Sequence, residues 1–293
     1  MKKQWLRAVS QFIAADSALA LFMGTILMAV FLAPQFNIFQ VLYLGGIILF
    51  GWFGLDMINN IYDVEMDKVT HPARALVMEK LGAWTKIIAY TCLIISFCSS
   101  LLTQNFLVVL AVVMAMLSGT VYSVPPFRLR QTVLKPAVNF TVGLIVTLLV
   151  ASFYGQFTVA AYLLMLLAGI TTMSTSLWDD VIDYEGDRKG NAKTLVTVIG
   201  QKKGAYLSFL SSFSLIPVIY FIGLVLAFPW FFYLASFFTA TGIIAVFVQN
   251  LSALLACSNS EALTSIMKKL FKYYVVLAFA QMLICIISFS VAR

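Results

Sequence analysis

Three residues at one spacing stand out: Asn59, Asp63 and Asp67 recur every fourth position in the stretch D-M-I-N-N-I-Y-D-V-E-M-D-K-V-T-H-P-A-R, residues 56–74. On a helix that spacing puts all three on one face, each about 6 Å above the last at 1.5 Å per residue. A second acidic row, Asp179, Asp180, Asp183 and Asp187, follows some 120 positions later, and Asp183 and Asp187 repeat the step of Asp63 and Asp67. Six carboxylates gathered in one cleft repel each other unless cations sit between them. Mg²⁺ suits such a cleft, because it is a hard ion that takes one or two carboxylates and completes its shell with water and substrate phosphates. Basic residues lie close by in sequence: Arg74, Arg128, Arg130, Arg188 and Lys193. They supply the charge that neutralises a diphosphate bridging the metals. Metals and cations together stabilise charge building on a departing diphosphate.

The rest of the chain must hold these rows in place, and its composition says in what solvent. Of 293 residues, 62% are hydrophobic and only 11% charged, against roughly 25% charged in soluble domains. Nine apolar runs approach the roughly 20 residues that cross a bilayer, near 15–33, 40–61, 84–103, 105–123, 135–154, 157–180, 204–226, 229–256 and 270–291. In lipid their backbones must bond internally, so the expected fold is an all-α membrane bundle of nine spans, one domain over residues 1–293. Pro217 is expected to kink the seventh span rather than end it. The basic start, Met1 to Arg7, precedes an apolar run in the manner of a signal peptide, but is read as a retained first helix.

All 19 Lys and Arg except Arg293 fall at alternate connections: Lys2, Lys3 and Arg7; Lys68 to Lys86; Arg128 to Lys135; Arg188 to Lys203; and Lys268 to Lys272. By the positive-inside rule the N-terminus is cytoplasmic. Both acidic rows then end on the cytoplasmic side of the cell membrane, as two half-sites expected to face each other. An apolar bundle above them would hold a lipid tail at about 0.8 kcal/mol per buried methylene, so the expected substrate is a lipid with a diphosphate head. The formal charge of +7 is absorbed by topology, and nucleic-acid binding has no support.

Other residues read as structural. The four cysteines, Cys92, Cys98, Cys257 and Cys285, have no metal spacing and pack as small hydrophobes. Glu65 and Glu185 point away from the rows and should be solvated or paired in loops. His71 reads as a loop residue, Asp16 as a helix-start acid and Asp56 as an acid one turn deeper than Asn59 and Asn60 that orients an amide or lines the chamber. Trp178 reads as an interface anchor or a stacking partner of the acceptor. Gly45, Gly46, Gly51 and Gly54 should permit close helix packing.

The motifs N-N-I-Y-D-V-E-M-D with Arg74, Y-S-V-P-P-F-R-L-R at 122–130 and D-x-x-D-Y-E-G-D-R-K-G at 180–190 resemble the UbiA prenyltransferase superfamily over nearly the whole chain. The resemblance implies Mg²⁺-dependent transfer of a polyprenyl group from an allylic prenyl diphosphate to a lipophilic acceptor, an aromatic ring or a glycerol-phosphate lipid. It implies metal ligation by Asn59, Asp63, Asp67, Asp183 and Asp187, with Asp180 completing the extended second motif. Tyr122 and Ser123 match the family's Tyr-Ser pair near the active site. Two departures are visible: no Arg-Pro pair near Arg7, and His71-Pro72 with Arg74-Ala75 where relatives carry Arg-Pro twice. The E-G-D-R-K and D-V-E-M-D strings lean toward the branch of digeranylgeranylglyceryl phosphate synthases. Two other readings compete: an intramembrane terpene cyclase, which needs no acceptor, and a cation-coupled transporter. A transporter would place its acids at the bilayer midplane on broken helices.

Overall fold

A computed structural model describes residues 15–70, 72–257 and 259–292. Expectations placed on Lys2, Lys3, Arg7, His71, Arg293 and the Asp16 side chain fall outside the described residues. Every described element is helical, as a backbone with no water to bond requires. In order they are α1 (Ala15–Leu32), α2 (Ile38–Thr70), α3 (Pro72–Leu81), α4 (Ala83–Leu102), α5 (Phe106–Ser123), a 3-10 turn (Leu129–Gln131), α6 (Lys135–Tyr154) and α7 (Val159–Ile182). Then follow α8 (Tyr184–Lys189), α9 (Leu195–Ile199), α10 (Gln201–Phe213), α11 (Leu215–Val225), α12 (Trp230–Ala256) and α13 (Ser260–Ala292).

Among the described residues, eight stretches are long and apolar enough to cross a membrane, and α1 offers a shorter apolar segment, Ser17–Leu32. The protein is therefore an all-α, multi-pass membrane protein. Its outward side chains agree: Phe39, Leu102, Phe106 and Trp230 are each at least 75% exposed, which suits hydrocarbon and not water. Several expected connections are helical instead. α2 runs on through the first acidic row to Thr70, about 50 Å in all, and α3 starts at once on Pro72, whose missing N–H costs nothing at a first helical position. α13 begins ten residues before the expected span and carries Lys268, Lys269 and Lys272 on its early turns. Pro217 acts as expected on the seventh span. It has no N–H to give the Phe213 carbonyl, and the helix is interrupted at Ser214 between α10 and α11.

The chain divides into two compact units, residues 1–132 with 144–161, and residues 133–143 with 162–293. In the first, α2 packs on α1 and α4, and its glycines set the spacing. A methyl on Gly45 would meet the Phe22 ring at 2.5 Å, and one on Gly54 the Ala89 carbonyl oxygen at 2.9 Å. Ser96 donates to the Ile47 carbonyl at 2.7 Å beside Gly51, whereas Gly46 faces open space. α3 buries Ala75, Val77 and Met78, and Val77 and Met78 pack in one cluster with Met57 and Ile58 of α2 and Ala89 of α4.

In the second unit, the start of α6 lies antiparallel to α7. Gly143 sits so close that an added methyl would stand 2.3 Å from the Ala168 carbonyl oxygen. Trp178 is buried in this unit rather than at an interface. Its indole N–H donates to Ser212 at 2.9 Å and its ring stacks on Tyr274 at 5.7 Å. The indole N–H needs a partner wherever it is buried, and the serines of α10 provide it. Of the cysteines only Cys285 is buried, and Cys98 is exposed on an apolar helix.

The glycine contacts give a paired prediction. Gly143→Ala should destabilise the detergent-solubilised protein by about 1–3 kcal/mol, because a backbone carbonyl cannot yield. Gly46→Ala should be neutral or stabilising by up to about 1 kcal/mol. Thermal unfolding of the two variants beside the parent checks both.

Candidate active site: two carboxylate rows

The first row is built on the last turns of α2, and each rung meets a cation or a polar donor. Asp63 is fully buried and pairs with two guanidiniums: Arg128 Nη2 lies 2.8 Å from Oδ1, and Arg130 contacts Oδ2. Arg130 also donates to Asn59 Oδ1 at 2.9 Å, and Ser123 donates to the same oxygen at 3.2 Å. Asp67, 2% exposed, is gripped through both oxygens by Arg74, whose Nε donates at 2.7 Å. This two-point fork is the geometry that suits arginine to carboxylates and phosphates.

Local sequence explains how these cations return to α2. α5 ends at Ser123, the Pro125–Pro126 bond is cis, and Arg128 is left-handed (φ 42°). The short 3-10 turn then presents Arg130. Arg128 also donates to the Tyr62 carbonyl at 2.6 Å, and its partial burial lowers its pKa from the ordinary value. Such a group remains charged at neutral pH. Tyr122 is half-buried beside Ser123. Asp56, one turn deeper, accepts from Asn60 at 3.2 Å.

The second row spans the junction of α7 and α8. The helix bends at Asp183, yet Asp183 N–H still donates to the Asp179 carbonyl at 2.8 Å and Asp187 N–H to the Asp183 carbonyl at 3.0 Å. The four-residue register thus survives the bend. Asp180 and Asp187 are buried and Asp183 half-buried. Lys135, at the first position of α6, forms an ion pair with Asp180. Sequence reading assigned Lys135 to topology alone. Its only signal was a lysine directly in front of an apolar run.

The remaining expected contacts differ. Arg188 is 68% exposed on its side chain and stands 3.9 Å from Glu185, and Lys193 is exposed, so neither is drawn onto a carboxylate row in this structure. Glu65 is solvent-exposed and accepts from Lys68 at 2.8 Å, as expected. It raises the Lys68 pKa from the ordinary value through that hydrogen bond.

The donor set tests whether Mg²⁺ fits. Asn59, Asp63 and Asp67 offer only hard oxygen donors on one face, as do Asp183 and Asp187. Among the described residues no three His, Cys, Asp or Glu side chains cluster tightly enough to hold one ion. Mg²⁺ does not need three, since one or two carboxylates plus water and phosphate oxygens complete its octahedron. The residues present fit the ion on those terms.

Known proteins are similar to this chain in sequence. A region of 167 residues is 29% identical to the probable homogentisate phytyltransferase 2 of Oryza sativa subsp. japonica, covering 51% of this chain and 42% of that one. A region of 168 residues is 30% identical to the digeranylgeranylglyceryl phosphate synthase of Pyrococcus abyssi, covering 55% and 57%. The chain thus spans about half the length of these curated relatives. The solved structure of a UbiA homolog from Archaeoglobus fulgidus, described as bound to GPP and Mg²⁺, has the same fold. Its TM-score is 0.66 at 16% identity, over 96% of this chain and 99% of that one. The sequence model of the UbiA prenyltransferase family matches residues 17–286. With that match running nearly end to end, the chain belongs to the UbiA prenyltransferase family.

Proposed function

We propose that this protein transfers a polyprenyl group from an allylic prenyl diphosphate to a lipid-soluble acceptor and releases diphosphate. The observation that carries the reading is the pairing of Asp63 and Asp67 with Arg128, Arg130 and Arg74 on one helix end. Alternating anions and cations, set where a bilayer-spanning helix leaves its apolar stretch, match a diphosphate head with its metal and a tail in the apolar interior. The Archaeoglobus homolog's description, with GPP and Mg²⁺, supports the same pairing of donor and ion.

On this reading Asn59, Asp63 and Asp67, with Asp183 and Asp187, hold Mg²⁺, which supplies Lewis acidity toward the leaving phosphates. Arg74, Arg128 and Arg130 bind the diphosphate oxygens, and Arg188 and Lys193 reach it from the second row's loop. Ser123 fixes the Asn59 amide, and Tyr122 lies beside the reacting carbon. The allylic C–O bond breaks and its electron pair leaves with the diphosphate. The allylic cation is attacked by the acceptor's nucleophilic atom, and the new bond displaces a proton. Asp180 or Asp183 takes that proton. The apolar helices exclude water, which would otherwise capture the cation.

We further propose one catalytic domain with nine spans, an N-terminus in the cytoplasm and a cytoplasm-facing site in the cell membrane. The alternation of basic connections supports it. The acceptor is an aromatic ring or a glycerol-phosphate lipid. The rice and Pyrococcus relatives, named for one of each, support that choice of two.

The test is a membrane assay with labelled C10, C15 and C20 diphosphates crossed with both acceptor classes, with products identified by mass. Prenylated acceptor is expected. A cyclic hydrocarbon or alcohol formed from donor alone would replace transfer with cyclisation. Asp63→Asn and Asp183→Asn should each reduce kcat/KM by at least about 100-fold while the protein still inserts, and full activity in either would overturn the metal assignment. Chelation should stop turnover and added Mg²⁺ should restore it. Arg74→Lys keeps the charge but loses the fork, so it should raise the donor KM about tenfold with a smaller change in kcat, as read from initial rates.

A further inference from the structure

The contact between α6 and α7 is a graded seam within the second unit. Its deep end is the near-touching of Gly143 and the Ala168 carbonyl. One turn along α7, Thr172 donates to the Asn139 carbonyl at 2.6 Å. One turn further, Asn139 Nδ2 donates to Ser176 Oγ at 3.0 Å and also to the Lys135 carbonyl at 3.0 Å. The last rung is the ion pair of Lys135 with Asp180. Positions 168, 172, 176 and 180 form a single four-residue row on α7, matched by 143, 139 and 135 on α6. A one-residue slip would break every rung. The seam therefore sets the height and rotation of the acidic end of α7.

The last rung has a chemical consequence. At about 100° per residue, positions 180, 183 and 187 share one helix face, and the backbone bonds across the bend preserve that register. By residue type and helix face alone nothing separates Asp180 from its two neighbours as an oxygen donor. In the structure its side chain is fully buried against an ammonium whose own side chain is 9% exposed. Asp63 and Asp67 are paired as well, but with guanidiniums that can pass to phosphate oxygens. Lys135 is fixed by the seam, so Asp180 stays paired and the lysine's charge repels a divalent ion at short range. We propose that Lys135 is a positioning residue that holds Asp180 out of the metal-binding set, leaving Asp183 and Asp187 to ligate. The inference rests on the prenyltransferase reading for its catalytic meaning but not for its binding test.

Mn²⁺ serves as the probe, titrated by electron paramagnetic resonance into the detergent-solubilised full chain. Asp180→Asn, which leaves the Lys135 charge unbalanced, should weaken Mn²⁺ binding by no more than about threefold, while Asp183→Asn should weaken it about tenfold or more. Lys135→Met should tighten Mn²⁺ binding at least about threefold, because a carboxylate is released and a cation removed. Equal weakening by Asp180→Asn and Asp183→Asn would overturn the proposal. Turnover gives a second readout. Lys135→Met and Asp180→Asn should each lower kcat about 10- to 100-fold with donor KM changed less than threefold. The double variant should be no worse than the poorer single one, as expected when one residue acts through the other, and Lys135→Arg should recover most of the loss. Multiplying effects, or a double variant with parental kcat, would show that Lys135 touches substrate directly or serves helix pairing alone. If Lys135→Met does not fold, the double variant, which removes both charges together, and Lys135→Arg carry the kinetic comparison. A parental protein that prenylates no acceptor would sink the enzymatic reading and leave the Mn²⁺ comparison standing.

Discussion

A carboxylate drawn out of water costs several kcal/mol unless a cation or a set of donors meets it, and a chain that is 62% hydrophobic offers few such partners. Asp63, Asp67 and Asp180 are all nearly inaccessible, and each has a basic residue brought to it from another element. Arg128 and Arg130 return from beyond α5, Arg74 from α3, and Lys135 from the start of α6. The connections that look like mere spacers in sequence are therefore cation-delivery devices. Cost also explains why the acids sit at helix ends: a row at mid-bilayer would need the same partners with no connection near enough to supply them.

The two rows solve the problem differently. The first uses planar guanidiniums, which share one carboxylate between two arginines and also reach Asn59. Such an array re-forms readily around phosphate oxygens, since carboxylate and phosphate present similar paired acceptors. The second uses a lysine, a compact charge locked by the seam from Gly143 to Asp180. A guanidinium array suits an exchangeable anion, and a locked ammonium suits a fixed one. On the proposed function, the difference in cation type divides the labour between binding the leaving group and holding the frame.

Much of this was legible from residue order. The four-residue spacing of Asn59, Asp63 and Asp67 gave their common face, and eight of the nine apolar runs form membrane-length helices. The close packing at Gly45 and Gly54 and the break ahead of Pro217 follow from local sterics that sequence carries directly. The partners of Lys135 and Trp178 are hidden in the sequence for a common reason. A lysine at the edge of a span and a tryptophan near a helix end have strong generic roles in membranes. Those roles give no sign of a partner far along the chain, Asp180 for one and Ser212 with Tyr274 for the other. The helical connections α3, α8 and α9 were hidden because short helices have little stability of their own and resemble loops until they have a surface to cover.

We propose, from the matched spacing of the two rows in sequence, that both are needed to bind diphosphate together with Mg²⁺. Calorimetric titration of inorganic diphosphate into the solubilised chain, with and without Mg²⁺, addresses it without any acceptor or turnover. The account predicts one diphosphate bound per chain, only when Mg²⁺ is present, with the heat lost on neutralising either Asp67 or Asp187 by substitution with asparagine. Undiminished binding after loss of one row, or equal binding in chelator, would contradict it.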